Sequence, residues 1–320
     1  MENQALGLAE AVARLTPAVI DVRRVKWRPL FDKLPSALKA SWMLDPTADA
    51  PFPAAGDAWP DLWIATGRAT LPLSLAAPAQ SGGRTFVVQT QDPRFRNADY
   101  GLIIAPAHDR VTGPNVLSIT GSPHRVSADR LAQAASAFAG RIAPLPRPRV
   151  AVLIGGRSAA FDLTEVHAAD MADRIARAVE AAGGSLMLTF SRRTPDAARA
   201  VMTERLAALP GLIWDGQGAN PYFAFLNAAD HILVTEDSAN MAAEAASTGR
   251  PVHILPMVAL KPAGKFARLH ADLAARGAAR PFDGSLETWT YEPLNETDRA
   301  ARAVLERMRE ARPRNEPTVR

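Results

Sequence analysis

The stretch Asp230–Pro256, DHILVTEDSANMAAEAASTGRPVHILP, constrains the fold more than any other part of the chain. Ile232–Val234 is short and β-branched, as a buried strand requires, and the polar turn Thr235-Glu236-Asp237-Ser238 follows it. Ser238 or Asp237 can cap the next helix by accepting from its first amides. Gly249 ends that helix and Val252–Leu255 resumes a strand. Strand, loop, helix, strand is the repeat of a parallel α/β sheet. It sets a helix N-terminus at the carboxyl end of a strand, where open α/β sheets take ligands. First-turn amides and the helix dipole favour an anion there. Glu244, near the second turn, is within reach of sugar hydroxyls attached to a bound phosphate. The expected ligand is therefore a nucleotide carrying a diphosphate, contacted by Glu236, Asp237, Ser238, Asn240, Met241 and Glu244.

Two further turns fall at equivalent places. Gly155-Gly156-Arg157-Ser158 follows the strand Val150–Ile154 and precedes the helix Thr164–Ala182. Glycines there let amides approach a ligand, and Arg157 and Ser158 add charge and a hydroxyl. Ser191-Arg192-Arg193-Thr194 follows the strand Ser185–Phe190, with Ser191 and Arg192 as candidate contacts; Arg192 and Arg193 can both pair with an anion. Each turn alone reads equally well as an ordinary capped loop. Their coincidence at three strand ends of one parallel sheet favours a shared site. Tyr222, after Asn220-Pro221, begins a helix and is a candidate wall for the base. In the first half, Gln89–Pro93, Pro106–Asp109 and Gly121–His124 also follow strands, and Gly67-Arg68 offers a further anion contact. Within these loops, His108 beside Asp109 is the best candidate for removing a proton from an acceptor hydroxyl.

Several chemistries lack their carriers. There is no G-x-G-x-x-G, no G-x-x-x-x-G-K-[ST] and no D-x-D pair to hold a metal on a diphosphate. None of Tyr100, Tyr222 and Tyr291 has a lysine four residues on. No metal site and no cofactor are expected, so leaving-group charge must be met by amides, helix dipole and arginine. With no cysteine, thiolate chemistry and disulfides are excluded, which fits a cytoplasmic location.

The chain has 320 residues, about right for two α/β domains, and no apolar run of membrane-spanning length. The expected division is an acceptor-side domain over 1–143, a nucleotide-sugar domain over 144–296, and a terminal helix and tail over 297–320 that return to the first domain. The Pro/Arg stretch Arg141–Arg149 serves as linker. The chain begins on a helix, Met1–Arg14, then an expected strand, Ala18–Val25. Doubly wound domains begin on a strand, which leaves room for a first strand and its glycine turn upstream of Met1. The net charge of +4 suits anionic ligands, but few aromatics and no recognition module argue against nucleic acid. The segment Arg23–Leu44 mixes Arg, Lys, Trp, Phe and Leu. It reads as a core-facing helix pair with a basic outer face or, alternatively, as a peripheral contact with the inner face of an anionic membrane.

Taken together, certain motifs are similar to those of the mitochondrial-fission ELM family of plant proteins and bacterial relatives. They are Asn3-Gln4-Ala5-Leu6-Gly7-Leu8-Ala9-Glu10, Gln91-Asp92-Pro93, His108-Asp109, Gly155-Gly156, Thr235-Glu236-Asp237-Ser238, Gly249-Arg250-Pro251, Gly264-Lys265-Phe266, Arg276-Gly277 and Arg280-Pro281-Phe282. More distantly, Glu244-Ala245-Ala246 with Gly249-Arg250-Pro251 resembles the E-A-A-x-x-G-x-P ending of GT-B glycosyltransferases. That resemblance implies an α/β, GT-B-like fold, two Rossmann-like domains with parallel sheets facing across a cleft. It implies the donor in the C-terminal half, with the glutamate on the ribose and loop amides on the diphosphate, and the acceptor in the N-terminal half. The leading expectation is a metal-independent glycosyltransferase that moves a sugar from a nucleotide-diphosphate sugar to an unknown acceptor, lipid-linked or of the cell envelope. Its rivals are a non-catalytic GT-B-like adaptor acting at a membrane and a nucleotide-sugar epimerase needing the same donor site.

Overall fold

A computed structural model describes residues 2–54 and 56–311. The chain forms two compact units, one running to Arg125 and resuming at Asn295, the other Val126–Leu294.

The first unit carries four parallel strands, β1 (Leu62–Thr66), β2 (Phe86–Thr90), β3 (Leu102–Pro106) and β4 (Val116–Ile119), in that spatial order. Alternation along the strands sends successive side chains to opposite faces. Val88, Leu102 and Ile104 meet Leu8, Ala11 and Val12 of the helix Glu2–Leu15 and Ala300, Ala301 and Val304 of the helix Glu296–Ala311. Val87, Ile103 and Ala105 meet Leu71 and Ala77 of the helix Leu71–Gln80. The last helix thus belongs to the first unit. Gly7 lets the first helix approach the His124 backbone, since a Cβ there would lie 2.4 Å from the His124 carbonyl.

The expected strand at 18–25 does not form. Among the described residues no strand pairs with it, and its apolar residues find no core: Val19 is 99% exposed. The segment Arg23–Leu44 is not a core-facing helix pair either. It holds one four-residue helix, Pro29–Asp32, and two 3-10 turns, with Leu30, Leu38 and Trp42 exposed. Prolines at 29 and 35 break any longer helix.

The second unit has β5 (Arg149–Ile154), β6 (Phe161–Asp162), β7 (Ser185–Phe190), β8 (Gly211–Ile213), β9 (His231–Thr235), β10 (Val252–Leu255), β11 (Val258–Ala259) and β12 (Ala279–Pro281). Six of them form a parallel sheet in the order β12-β10-β9-β5-β7-β8, and β6 pairs antiparallel with β11. From β5 the chain builds outward through β7 and β8, then returns to the other side through β9, β10 and β12. The order reverses between β5 and β9, which opens a crevice at their carboxyl ends. Val150, Val152 and Ile154 pack on the face covered by the helices Glu165–Ala181 and Asp196–Leu206. Ala151 and Leu153 pack on the face covered by Tyr222–Ala228, Ala239–Ala246 and Gly264–Ala275. The helix Ala128–Ile142 also lies on this second face, through Leu131, Ala134 and Phe138. The division between units therefore falls ahead of this helix, not at residue 143, because its apolar stripe is buried by the second unit.

Candidate functional site

The crevice predicted by strand order is built from the ends of β5, β7 and β9, and one carboxylate ties the three together. Asp237 has a side chain with 0% exposure. Its Oδ2 accepts from the Gly156 amide at 3.0 Å and lies 2.8 Å from Arg193 Nη2, while its Oδ1 accepts from Thr235 Oγ1 at 2.7 Å. Thr235 Oγ1 in turn accepts from the Gly155 amide at 2.7 Å. A buried carboxylate is tolerated only when paired and hydrogen-bonded, and this one is both. The glycines are required by its proximity: a Cβ at Gly155 would lie 1.9 Å from Asp237 Oδ1, and one at Gly156 would lie 2.1 Å from the Arg193 carbonyl oxygen.

The arrangement corrects part of the sequence expectation. The Gly155 and Gly156 amides point at Thr235 and Asp237, so they are not available to a ligand. Asp237 is a scaffold residue, buried beneath the surface. Ser158 Oγ accepts from the Ala160 and Phe161 amides, each at 3.1 Å, and Arg157 pairs with Asp162 at 3.3 Å, so both shape their own turn. Ser191 Oγ likewise accepts from the Arg193 amide at 3.1 Å. Glu236 Oε2 accepts from the Met257 amide at 3.1 Å, which joins the β9 loop to the segment after β10. The common reason is that a tight polar turn leaves many amides to satisfy, and short side chains in the turn satisfy them first.

What remains at the crevice surface is a smaller set. Ser238 caps the helix Ala239–Ala246, its Oγ accepting from the Met241 amide at 3.3 Å. The Ala239 amide, in the first turn, has no acceptor among the described residues. Asn240 is exposed beside it. Arg192 is exposed and Arg193 is partly so. Farther along the helix, Glu244 is partly buried and its Oε2 accepts from the Tyr222 hydroxyl, so Tyr222, expected as a wall for the base, is bonded to the acid. Asn220 Oδ1 accepts from the Tyr222 amide at 2.9 Å and starts the Tyr222 helix. Burial pushes the Glu244 carboxyl up to about 7, against the opposing pull of the Tyr222 hydrogen bond. Burial and the adjacent Glu244 push the Tyr222 phenol well above its usual value. Glu244 is thus a carboxylate poised near neutrality with a single hydroxyl on it, chemically suited to receive further hydroxyl donors.

In the first unit, His108 is buried after β3, and its Nε2 lies 3.9 Å from Asp109 Oδ1. That separation is beyond hydrogen-bond reach, so the two are not wired as base and orienting acid here. The sequence offered Arg193 as an anion partner but not its pairing with Asp237, and it did not mark Thr235 as a member of the β5–β7–β9 junction. Thr235 carried a signal, a hydroxyl residue that ends an apolar strand run and opens a polar turn.

Two α/β units with parallel sheets, the second with a reversal of strand order between β5 and β9, define the GT-B-like class. UDP-GlcNAc 2-epimerase from Neisseria meningitidis, bound to UDP-GlcNAc, matches 78% of this chain and 76% of its own at TM-score 0.51 and 13% identity. MurG of Acinetobacter baumannii matches 79% and 70% at TM-score 0.39 and 17% identity. At such identities these likenesses concern the fold alone. The family described as mitochondrial fission ELM1 matches residues 1–308, and the chain belongs to it. The mitochondrial fission protein ELM1 of Arabidopsis thaliana is 31% identical over 272 residues, 77% of this chain and 63% of that protein. An uncharacterized protein of Rickettsia prowazekii is 28% identical over 204 residues, 62% of this chain and 56% of that protein. The chain spans only about 56–63% of the length of these two relatives. Among the described residues no helix is long and apolar enough to cross a membrane.

Proposed function

We propose that the second unit binds a nucleotide-diphosphate sugar and that the protein transfers the sugar to an acceptor without a metal. One observation carries this reading: Glu244 and the Ser238-capped helix start stand on one helix at the carboxyl edge of the sheet, where the strand order reverses. The helix start supplies an amide and the dipole to a diphosphate. Glu244 accepts the ribose hydroxyls, its carboxylate exchanging the Tyr222 hydroxyl for those of the ligand or sharing it with them. The GT-B-like fold and a fold neighbour that holds UDP-GlcNAc support the choice of UDP as first probe. The proton acceptor role of His108 or Asp109 belongs to the same proposal, as does an acceptor on the first-unit side.

The test is calorimetric titration with UDP and other nucleoside diphosphates, repeated for Glu244→Ala. Loss of a charge-assisted hydrogen bond predicts an affinity about tenfold weaker or worse. Failure of the wild type to bind any of these nucleotides removes the reading and leaves the adaptor. Incubation with UDP-GlcNAc and no acceptor, followed by product analysis, separates transfer from epimerisation, because only an epimerase returns an isomeric nucleotide sugar.

A further inference from the structure

Arg193 is held at its backbone and at the far end of its side chain. Its amide donates to Ser191 Oγ at 3.1 Å and its carbonyl accepts from the Arg157 amide at 3.0 Å. Its carbonyl also packs against Gly156 so closely that no side chain fits between them. At the far end its Nη2 meets the buried Asp237 carboxylate at 2.8 Å, yet the side chain is 45% exposed. A guanidinium carries five N–H donors in a rigid plane, and Asp237 engages one edge of it. No other acceptor among the described residues meets this guanidinium. The remaining donors face solvent at the junction of β5, β7 and β9. Arg192, next to it, is exposed with no partner among the described residues. Ordering a free arginine on a ligand costs rotamer freedom, and Arg193 has already given up much of that freedom.

Asp237 also lies one residue before the Ser238 cap. The Arg193 guanidinium and the start of the Ser238-capped helix are thereby tied to one buried carboxylate. We infer that Arg193, not Arg192, is the residue that grips the diphosphate, and that Asp237 is the positioning residue that aims it. This rests on the nucleotide-binding reading above and assigns the charge-bearing contact within it. A diphosphate presents several charged oxygens to the guanidinium donors that Asp237 leaves free.

The experiment measures binding of UDP, uridine and inorganic pyrophosphate to the full chain and to R192Q, R193Q, D237N and the R193Q/D237N double variant. R193Q weakens UDP and pyrophosphate by about tenfold or more and leaves uridine within about twofold, while R192Q changes none of them by more than about twofold. D237N weakens UDP to a similar degree, and the double variant is no weaker than R193Q alone, a non-additivity that a merely structural role does not produce. If D237N does not fold, the R193Q and R192Q comparison decides by itself. Equal losses in R192Q and R193Q, or undiminished UDP and pyrophosphate binding by R193Q, overturn the inference. A wild type that binds pyrophosphate through Arg193 but no nucleotide overturns the nucleotide reading and keeps Arg193 as an anion contact. A wild type that binds neither overturns both.

Discussion

Replacing Glu244 by glutamine should change the pH dependence of stability in a way that can be worked out from the site. Burial raises the folded-state carboxyl from 4.5 to about 7. The folded protein therefore holds a proton there that the unfolded chain has released, and stability at this site falls as pH rises from 4.5 through 7. With those two values, the destabilisation grows from about 1 kcal/mol at pH 5 to about 3 kcal/mol at pH 8. Glutamine keeps an oxygen to accept from Tyr222 but has no proton to lose, so whatever constant effect it brings is independent of pH. The stability of Glu244→Gln relative to wild type should rise by about 2 kcal/mol between pH 5 and 8. For a unit of this size that is roughly 4–8 °C in relative melting temperature. The buried histidines, whose depressed values act on the acid side, are common to both proteins and cancel in the difference. Thermal melts of the two proteins without nucleotide, at half-unit pH steps, are sufficient. A difference that is flat with pH, or that shrinks as pH rises, refutes the buried-acid account of this site.

The same titration should appear in binding: UDP affinity should rise about tenfold from pH 6 to 8 as the Glu244 carboxylate forms, and a pH-independent affinity in that window would remove Glu244 from the ribose. Gly155→Ala drives a methyl into Asp237 Oδ1 and should destabilise the second unit by more than about 2 kcal/mol in urea denaturation; a neutral outcome would contradict the packing of that turn. His253 is held down to about 4 by burial and by His231 beside it, so its stability contribution is complete above 6.5 and is lost as pH falls toward 4. His253→Leu should accordingly show a shallower acid limb of stability, and an unchanged limb would rule the residue out as a source of acid sensitivity. Exposed Leu30, Leu38 and Trp42 lie in a segment with Arg28, Lys33 and Lys39. Co-sedimentation with phosphatidylserine vesicles that weakens in Trp42→Ala is the outcome expected of a peripheral contact; no sedimentation by wild type dismisses it.

Much of the fold was legible from periodicity and punctuation. The runs read as strands at 150–154, 185–190, 232–234 and 252–255 fall within a residue of the strands Arg149–Ile154, Ser185–Phe190, His231–Thr235 and Val252–Leu255, because a doubly covered parallel strand has to be apolar throughout. The site helix's cap was readable down to Ser238 or Asp237, since capping is a local contact, and the structure uses Ser238. Where local reasoning failed, burial was absent: 18–25 has strand-like residues but no partner to pair with. Within the site, Ser238, Glu244 and the Gly-Gly turn were visible as residue types, yet their partners were not.

The amino-acid order alone determined most of the elements, though not the unformed strand at 18–25, and that three polar turns stand at strand ends, because hydrophobic period and capping act within a few residues. It could not decide that the Gly155–Gly156 turn receives Asp237 in place of a ligand, that Arg193 and not its neighbour is clamped, or that Tyr222 meets Glu244. Those contacts join positions 22 to 81 residues apart, and strand order is what brings them within hydrogen-bond distance.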